Sequence, residues 1–297
     1  MDKLMDFLDV NPVILGDGAM GTMLQQAGLT SGGSPEEWNV THPEVLRGIY
    51  QAYVDAGSQV LTTNSFGGTR YRLALHHYED RVCEFARAAA VLAREVAGAA
   101  DHPVLVAGSI GPTGEILYPL GTRTVEEARA AFAEQATALD EGGVDFFLVE
   151  TMSALEEVVA AVEGIRAVST LPIAVTMTFD TRFRTMMGVK PVQAVEALSG
   201  LGVRVLGANC GNGPAEIERI MTEMAAVKPE GSYLMAQSNA GLPVWSQKQI
   251  QYDGTPEVMA DYARKMRQLG VSYVGACCGS TPDHIRAMGA ALREQSE

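Results

Sequence analysis

Residues 204–211 read RVLGANCG and residues 273–280 read YVGACCGS. Each starts as a short apolar, β-branched run and ends in small and polar residues, the pattern of a buried strand that runs into a turn. Six further runs have the same form, at residues 13–19, 59–66, 104–112, 146–152, 172–180 and 233–241. Segments of helical period lie between them. In residues 44–56, Val45, Ile49, Ala52, Tyr53 and Ala56 share one face, the spacing of an amphipathic helix. Residues 125–141, 154–168, 214–227, 256–269 and 281–293 read the same way. Thr255-Pro256 and Thr281-Pro282 pair a cap with a proline at the first helical position. Strand then helix, repeated with near-continuous hydrophobic strands, predicts a closed parallel sheet sheathed in helices, a (β/α)8 TIM barrel. A doubly wound open sheet has a similar rhythm. The count of eight runs favours closure. No linker or low-complexity stretch divides the chain, so residues 1–297 read as one barrel domain.

Composition narrows the partners. Lys and Arg number 22 against 36 Asp and Glu, a net charge of −14. Such an acidic chain is repelled by polyanions, which argues against nucleic acid and anionic membrane surfaces. No apolar run reaches the roughly 18 residues of a membrane span, and MDKLMDFLDV has no signal-peptide layout. With 4 cysteines in 297 residues there is no disulfide framework, so the expected compartment is the reducing cytoplasm. Oligomeric state is not readable.

In a TIM barrel the active site lies at the C-terminal ends of the strands. Those ends hold Asp17-Gly18-Ala19, Thr63-Asn64-Ser65, Glu150-Thr151, Asn209-Cys210-Gly211, Ser238-Asn239-Ala240 and Cys277-Cys278-Gly279. Cys210, Cys277 and Cys278 therefore gather at one rim, on the sixth and eighth strands. Thiolates suit zinc, and three protein ligands with an open fourth position form a catalytic pattern. Neighbouring side chains on a regular strand face opposite ways, so Cys277 and Cys278 share an ion only where the strand ends or bulges. Burial as small hydrophobes is the other reading of these cysteines. Cys83, in a helical segment, reads as packing. No lysine falls on a strand, against imine chemistry, and neither GxSxG nor a Walker loop is present. Three thiolates on zinc leave a net negative charge, poor for polarising water and suited to a fourth thiol, which ionises on coordination. The expected reaction is alkylation of a substrate thiol.

Gly16-Asp17-Gly18-Ala19 with Gly21-Thr22, Gly207-Ala208-Asn209-Cys210 and Gly275-Ala276-Cys277-Cys278-Gly279 resemble the motifs of the homocysteine S-methyltransferase family. That family includes the homocysteine-binding module of cobalamin-dependent methionine synthase and the betaine–homocysteine methyltransferases. The likeness runs from about Val13 to Met288. It implies zinc on Cys210, Cys277 and Cys278, homocysteine sulfur as the exchangeable ligand, and methionine as product. Asn239 matches a position that in some relatives lends zinc an oxygen when substrate is absent. Asp17 and Glu150 match the positions that hold the amino group, and the backbone of Gly18 and Ala19 that near the carboxylate; Asn64 joins this substrate-binding set. Glu115 and Asp180 lie near strand tops without an assigned role.

The methyl donor divides the readings. Betaine carries a quaternary ammonium, usually met by an aromatic cage. Where the animal betaine enzymes have cage tyrosines, this chain has Gly67 and Thr151. Trp38, Tyr118 and Trp245 remain for a different cage, and residues 66–72, 76–81 and 185–188 resemble stand-alone bacterial proteins called betaine–homocysteine methyltransferases. Thr151 beside Glu150 resembles the methionine synthase module. The expected donor is a methyl-corrinoid on a separate protein, because the chain's end at Glu297 leaves no room for a corrinoid domain. Betaine and S-methylmethionine are the alternatives. A non-catalytic zinc- or thiol-binding barrel and a vicinal Cys277–Cys278 disulfide are the other classes of reading.

Overall fold

In the computed structural model, each apolar run forms a strand, and several strands end before the polar residues of their run. The structure describes residues 2–246 and 249–294, with the backbone alone for residues 243–246 and 249–251. The strands are β1 (Ile14–Leu15), β2 (Val60–Thr62), β3 (Leu105–Ile110), β4 (Phe146–Met152), β5 (Ile173–Met177), β6 (Val205–Cys210), β7 (Tyr233–Ser238), β8 (Pro243–Ser246), β9 (Gln249–Tyr252) and β10 (Tyr273–Ala276). Eight are parallel neighbours in the order β1-β10-β7-β6-β5-β4-β3-β2. Helices follow them on the outside, so the expected (β/α)8 barrel is the observed one. β8 and β9 form an antiparallel hairpin outside the barrel, an element that the reading of the sequence did not include.

The seam between β1 and β2 closes through other contacts. Gln59 donates its backbone N–H to Leu15 O at 2.8 Å, and its side-chain Oε1 accepts from Leu15 N at 3.0 Å. One turn higher, Asp17 Oδ2 accepts from Thr62 N at 2.6 Å. The carboxylate of Asp17 thus stands in for ladder bonds that such short strands do not make.

Strand alternation sorts the interior into layers, because residues i and i+2 share a face. Val60, Leu105, Phe146, Ala174, Val205 and Met235 point inward and form an apolar cluster. Phe147, Val149, Val175 and Leu206 point outward and pack under the helices. Two or four residues further on, the inward parity falls on Thr62, Ser109, Glu150, Thr176, Asn209 and Gln237. The barrel is therefore greasy below and polar at the mouth.

The floor is closed by the N-terminal helix Lys3–Val10, another element absent from the reading of the sequence. Its Leu4, Met5 and Leu8 join the inward cluster, and Lys3 Nζ bonds Asp145 Oδ1 at 2.7 Å. Among the described residues, no helix is long and apolar enough to cross a membrane. Leu4 is fully buried, so Leu4→Ala leaves a cavity under the barrel and is expected to cost about 2–5 kcal/mol. A lowered urea midpoint with unchanged metal content of the folded protein is the result expected.

Candidate metal centre

β6 ends on Cys210, which adopts φ 61°, followed by Gly211 at φ 73°. A left-handed cysteine is uncommon, and this turn carries the thiol off the ladder. β10 stops at Ala276, so the alternation of a regular strand no longer separates Cys277 from Cys278. Cys277 N donates to Ser238 O at 2.7 Å, and Ser280 Oγ donates to Cys277 O at 2.7 Å. Gly279, at φ 81°, closes the turn, and a Cβ there would lie 2.2 Å from Tyr252 Cγ. The Tyr252 ring, brought in by β9, occupies that space.

These turns bring together three sulfurs that are far apart in the chain. Cys210 Sγ lies 3.0 Å from Cys277 Sγ and 3.9 Å from Cys278 Sγ, and all three fall within 4.8 Å of one another. A Zn–S bond of about 2.3 Å in tetrahedral geometry sets sulfurs about 3.8 Å apart. Cys278 meets that spacing, and the Cys210–Cys277 pair needs to open by less than an ångström. All four cysteines are free thiols, so Cys277 and Cys278 form no vicinal disulfide here.

The protonation of the cluster also fits a cation. Hydrogen bonds from Cys210 and Cys277 hold the Cys278 thiol well below its ordinary range, with Tyr252 as a further donor. Cys277, bonded to Cys210 and Cys278, is pushed well above its own. One thiolate forms readily and its neighbours resist, so three together call for a positive charge between them. Asn239 offers a further donor. Its Nδ2 donates to Gly211 O at 2.6 Å, while its buried Oδ1 has no hydrogen-bond partner. The residues present fit zinc: a soft trio with an unpaired amide oxygen on the adjoining β7 turn.

Two buried carboxylates share the mouth. Ser109 Oγ donates to Glu150 Oε1 at 2.5 Å, and Thr62 donates its N–H and, at 2.8 Å, its hydroxyl to Asp17. Burial pushes both groups up to about 7; for Glu150 the charges of Asp17 and Cys278 add to the effect. Near neutrality each carries its charge only in part, and a cation arriving between them favours the ionised form.

Other expected residues have different partners. Asn64 Nδ2 donates to Pro35 O at 2.7 Å and to Asn39 Oδ1 at 3.0 Å, so its donors support the 34–39 loop. Gly18 leaves no room for a side chain, since a Cβ would meet Ser280 Oγ at 2.6 Å. The N–H of Ala19 is taken by that same Ser280 Oγ at 2.9 Å. Glu115 pairs with Arg123 at 3.7 Å, and Asp180 is exposed on the rim. Trp38 stacks on His42 at 4.2 Å between ring centroids, and Tyr118 is 72% exposed; the side chain of Trp245 lies outside the described residues. At Gly67 a Cβ would lie 2.9 Å from Glu36 Oε1, the carboxylate that accepts from Gly67 N. An aromatic side chain there would displace that contact.

Tyr252, Ser109, Thr62 and His284 also support the site, and the reading of the sequence gave none of them a role in it. His284 Nδ1 accepts from Thr281 N at 3.1 Å, and its Nε2 bonds Gly254 O at 2.9 Å. That pattern puts the ring proton on Nε2 and pins the root of the hairpin to the start of the last helix. Strand parity from Leu105 and Val60 already pointed Ser109 and Thr62 inward; nothing local in the sequence marked Tyr252 or His284.

The family model described as homocysteine S-methyltransferase matches residues 14–292. Among curated proteins, the methionine synthases of Mycobacterium leprae and Mycobacterium tuberculosis are 37% and 36% identical over 94% and 97% of this chain. The alignments cover 24% and 25% of those proteins, so the chain spans about a quarter of their length. Among solved structures, the metallated form of the Escherichia coli homocysteine methyltransferase MmuM superposes with a TM-score of 0.82 at 24% identity, over 97% of this chain and 99% of that one. That likeness shows the shared fold.

If the sulfur trio is a zinc site, Cys210→Ser loses most of the metal. The expected content is about one zinc per parent chain and less than about a tenth of that in the variant, since metal affinity needs the full ligand set. Metal analysis after dialysis measures it, with an unchanged far-ultraviolet circular dichroism spectrum showing that the barrel persists. Full zinc retention in a folded variant would remove Cys210 from the site.

Proposed function

We propose that this chain, which belongs to the homocysteine S-methyltransferase family, makes methionine by methyl transfer to homocysteine from a methyl-corrinoid. The observation that carries the reading is the meeting of three thiols and two buried carboxylates in one barrel mouth. The thiols suit the sulfur end of a thiol amino acid, and the carboxylates suit its ammonium.

A zinc ion on Cys210, Cys277 and Cys278 would supply a thiol partner with its ionised form at neutral pH, where a free thiol of pKa about 8.5 is mostly protonated. The residues of the chain do the rest. Glu150, oriented by Ser109, and Asp17, oriented by Thr62, hold the ammonium. The Gly18 backbone lies along the carboxylate, because Ser280 already uses the N–H of Ala19. Asn239, whose amide oxygen has no hydrogen-bond partner, would be available as a further ligand to such an ion. With both ends of the substrate held, its sulfur faces out of the mouth toward the donor. The sulfur forms a bond to the methyl carbon, the bond from methyl to donor breaks, and its electron pair stays with the donor.

Thr151 and Gly67 favour the corrinoid over betaine. The hydroxyl of Thr151 is consumed by Asn209 Nδ2 at 2.7 Å, and Gly67 is backed by the Glu36 carboxylate. Neither position presents an aromatic face for a quaternary ammonium. The curated relatives named methionine synthase support the same product. The donor is tested by giving zinc-loaded protein homocysteine with methylcobalamin, betaine or S-methylmethionine and measuring methionine. Turnover from betaine with none from methylcobalamin overturns the corrinoid reading, and homocysteine binding without turnover for any donor leaves a binding barrel.

The carboxylate roles make a separate prediction. Glu150→Gln removes a charge-assisted contact worth about 1.5–3 kcal/mol, so the dissociation constant for homocysteine is expected to rise about 10- to 100-fold. Each carboxyl loses its charge as pH falls through about 7, so parent affinity falls toward acid. Calorimetric titration between pH 6 and 8 is expected to show a flatter pH dependence in the variant; identical slopes would take Glu150 out of ammonium binding.

A further inference from the structure

Asn209 is fully buried, and its amide joins three strands. Its Oδ1 accepts from Thr151 N at 2.9 Å on β4 and from Thr176 Oγ1 at 2.8 Å on β5. Its Nδ2 donates to Thr151 Oγ1 at 2.7 Å, and its backbone oxygen accepts from Thr178 Oγ1 at 3.0 Å. Two residues next to this amide are among the five described non-glycine residues with positive φ. Thr151, held by it, has φ 62°, and Cys210, next in the chain, has φ 61°. Left-handed conformations at non-glycine residues cost of order 1 kcal/mol or more and persist where their surroundings fix them. Here the Thr151 turn follows Glu150, at the register shift between Val149 and Met152.

We propose that Asn209 is a positioning residue that sets the span between Cys210 and the Glu150 carboxylate, and so selects thiols that carry an ammonium group at the matching distance. The inference rests on the reading of homocysteine as substrate. Both lone pairs of the amide oxygen are used and no water reaches it, so no other residue type makes the same three contacts. An alanine there leaves the Thr151 N–H and the Thr176 hydroxyl without their partner. The Thr151 turn then relaxes, and Glu150 moves relative to the sulfur cluster. Cys210 keeps its ladder register with Ser238, which also accepts from Cys277 N, so metal binding survives while the substrate, gripped at both ends, no longer fits both.

The test compares two thiols on zinc-loaded protein, homocysteine and 4-mercaptobutyrate, which is homocysteine without its amino group. In Asn209→Ala the zinc content is expected to match the parent. The dissociation constant for homocysteine rises about tenfold, the scale of one lost hydrogen bond, and that for 4-mercaptobutyrate stays within about twofold. Thr151→Ala, which removes one of the contacts and keeps the fold under milder strain, is expected to show the same selectivity at about threefold. The double variant is no worse than Asn209→Ala alone. Equal losses for the two thiols, or loss of zinc, in a parent that prefers homocysteine would overturn the role of Asn209. A parent that binds the two thiols equally would instead overturn the substrate reading, and this proposal with it.

Discussion

The parity of a pleated strand inside a closed barrel is the constraint on which the other features depend. Once Phe146 points inward, Leu148 and Glu150 point inward as well; once Val205 does, so does Asn209. The interior is apolar at the floor, where Leu4, Met5 and Leu8 of the first helix seal it. It opens only at the mouth. Inward-facing polar side chains stand near the upper ends of six strands, at Thr62, Ser109, Glu150, Thr176, Asn209 and Gln237.

That placement creates an electrostatic problem with a chemical use. Two carboxyls and three thiols share a desolvated mouth in which anions repel. Burial pushes both carboxyls up to about 7, while hydrogen bonds within the sulfur cluster push Cys277 up and hold Cys278 down. A divalent cation at the sulfur end and an ammonium at the carboxyl end relieve both strains together. In the proposed reading, the substrate brings positive charge to one end and a fourth thiol to the other. Asp17 has a second duty, because its carboxylate also stitches β1 to β2 across the barrel seam. Loss of that side chain would touch the closure of the fold as well as the mouth.

Much of this was legible in the chain. Eight apolar runs with polar ends fix a barrel and its active face, and the cysteines at the ends of the sixth and eighth runs fix where to look. The edges were less legible. The residue runs 13–19 and 59–66 shrink to two- and three-residue strands, because Asp17 and Gln59 take over the seam by side-chain bonds that periodicity does not reveal. The first helix was missed because it is short and packs against an inward cluster made by distant strands, and the short strands β8 and β9 carry no periodicity long enough to mark them. Asn64 looked like a mouth residue from its place at a strand end, yet its amide turns outward to Pro35 and Asn39.

By itself the sequence determined the periodicities, and with them the fold class, the inward parity and the chemical types at the mouth, because these follow from local backbone geometry and side-chain chemistry. Only the tertiary structure decided which of those groups meet. The sulfur cluster needs left-handed turns at Cys210 and Gly279, and the turn at Thr151 is held by an amide from β6. Tyr252 reaches Gly279 from a hairpin that the barrel does not require. Such contacts join residues tens to hundreds of positions apart, and their distances are set by strand register and turn shape, which no local pattern of residues encodes.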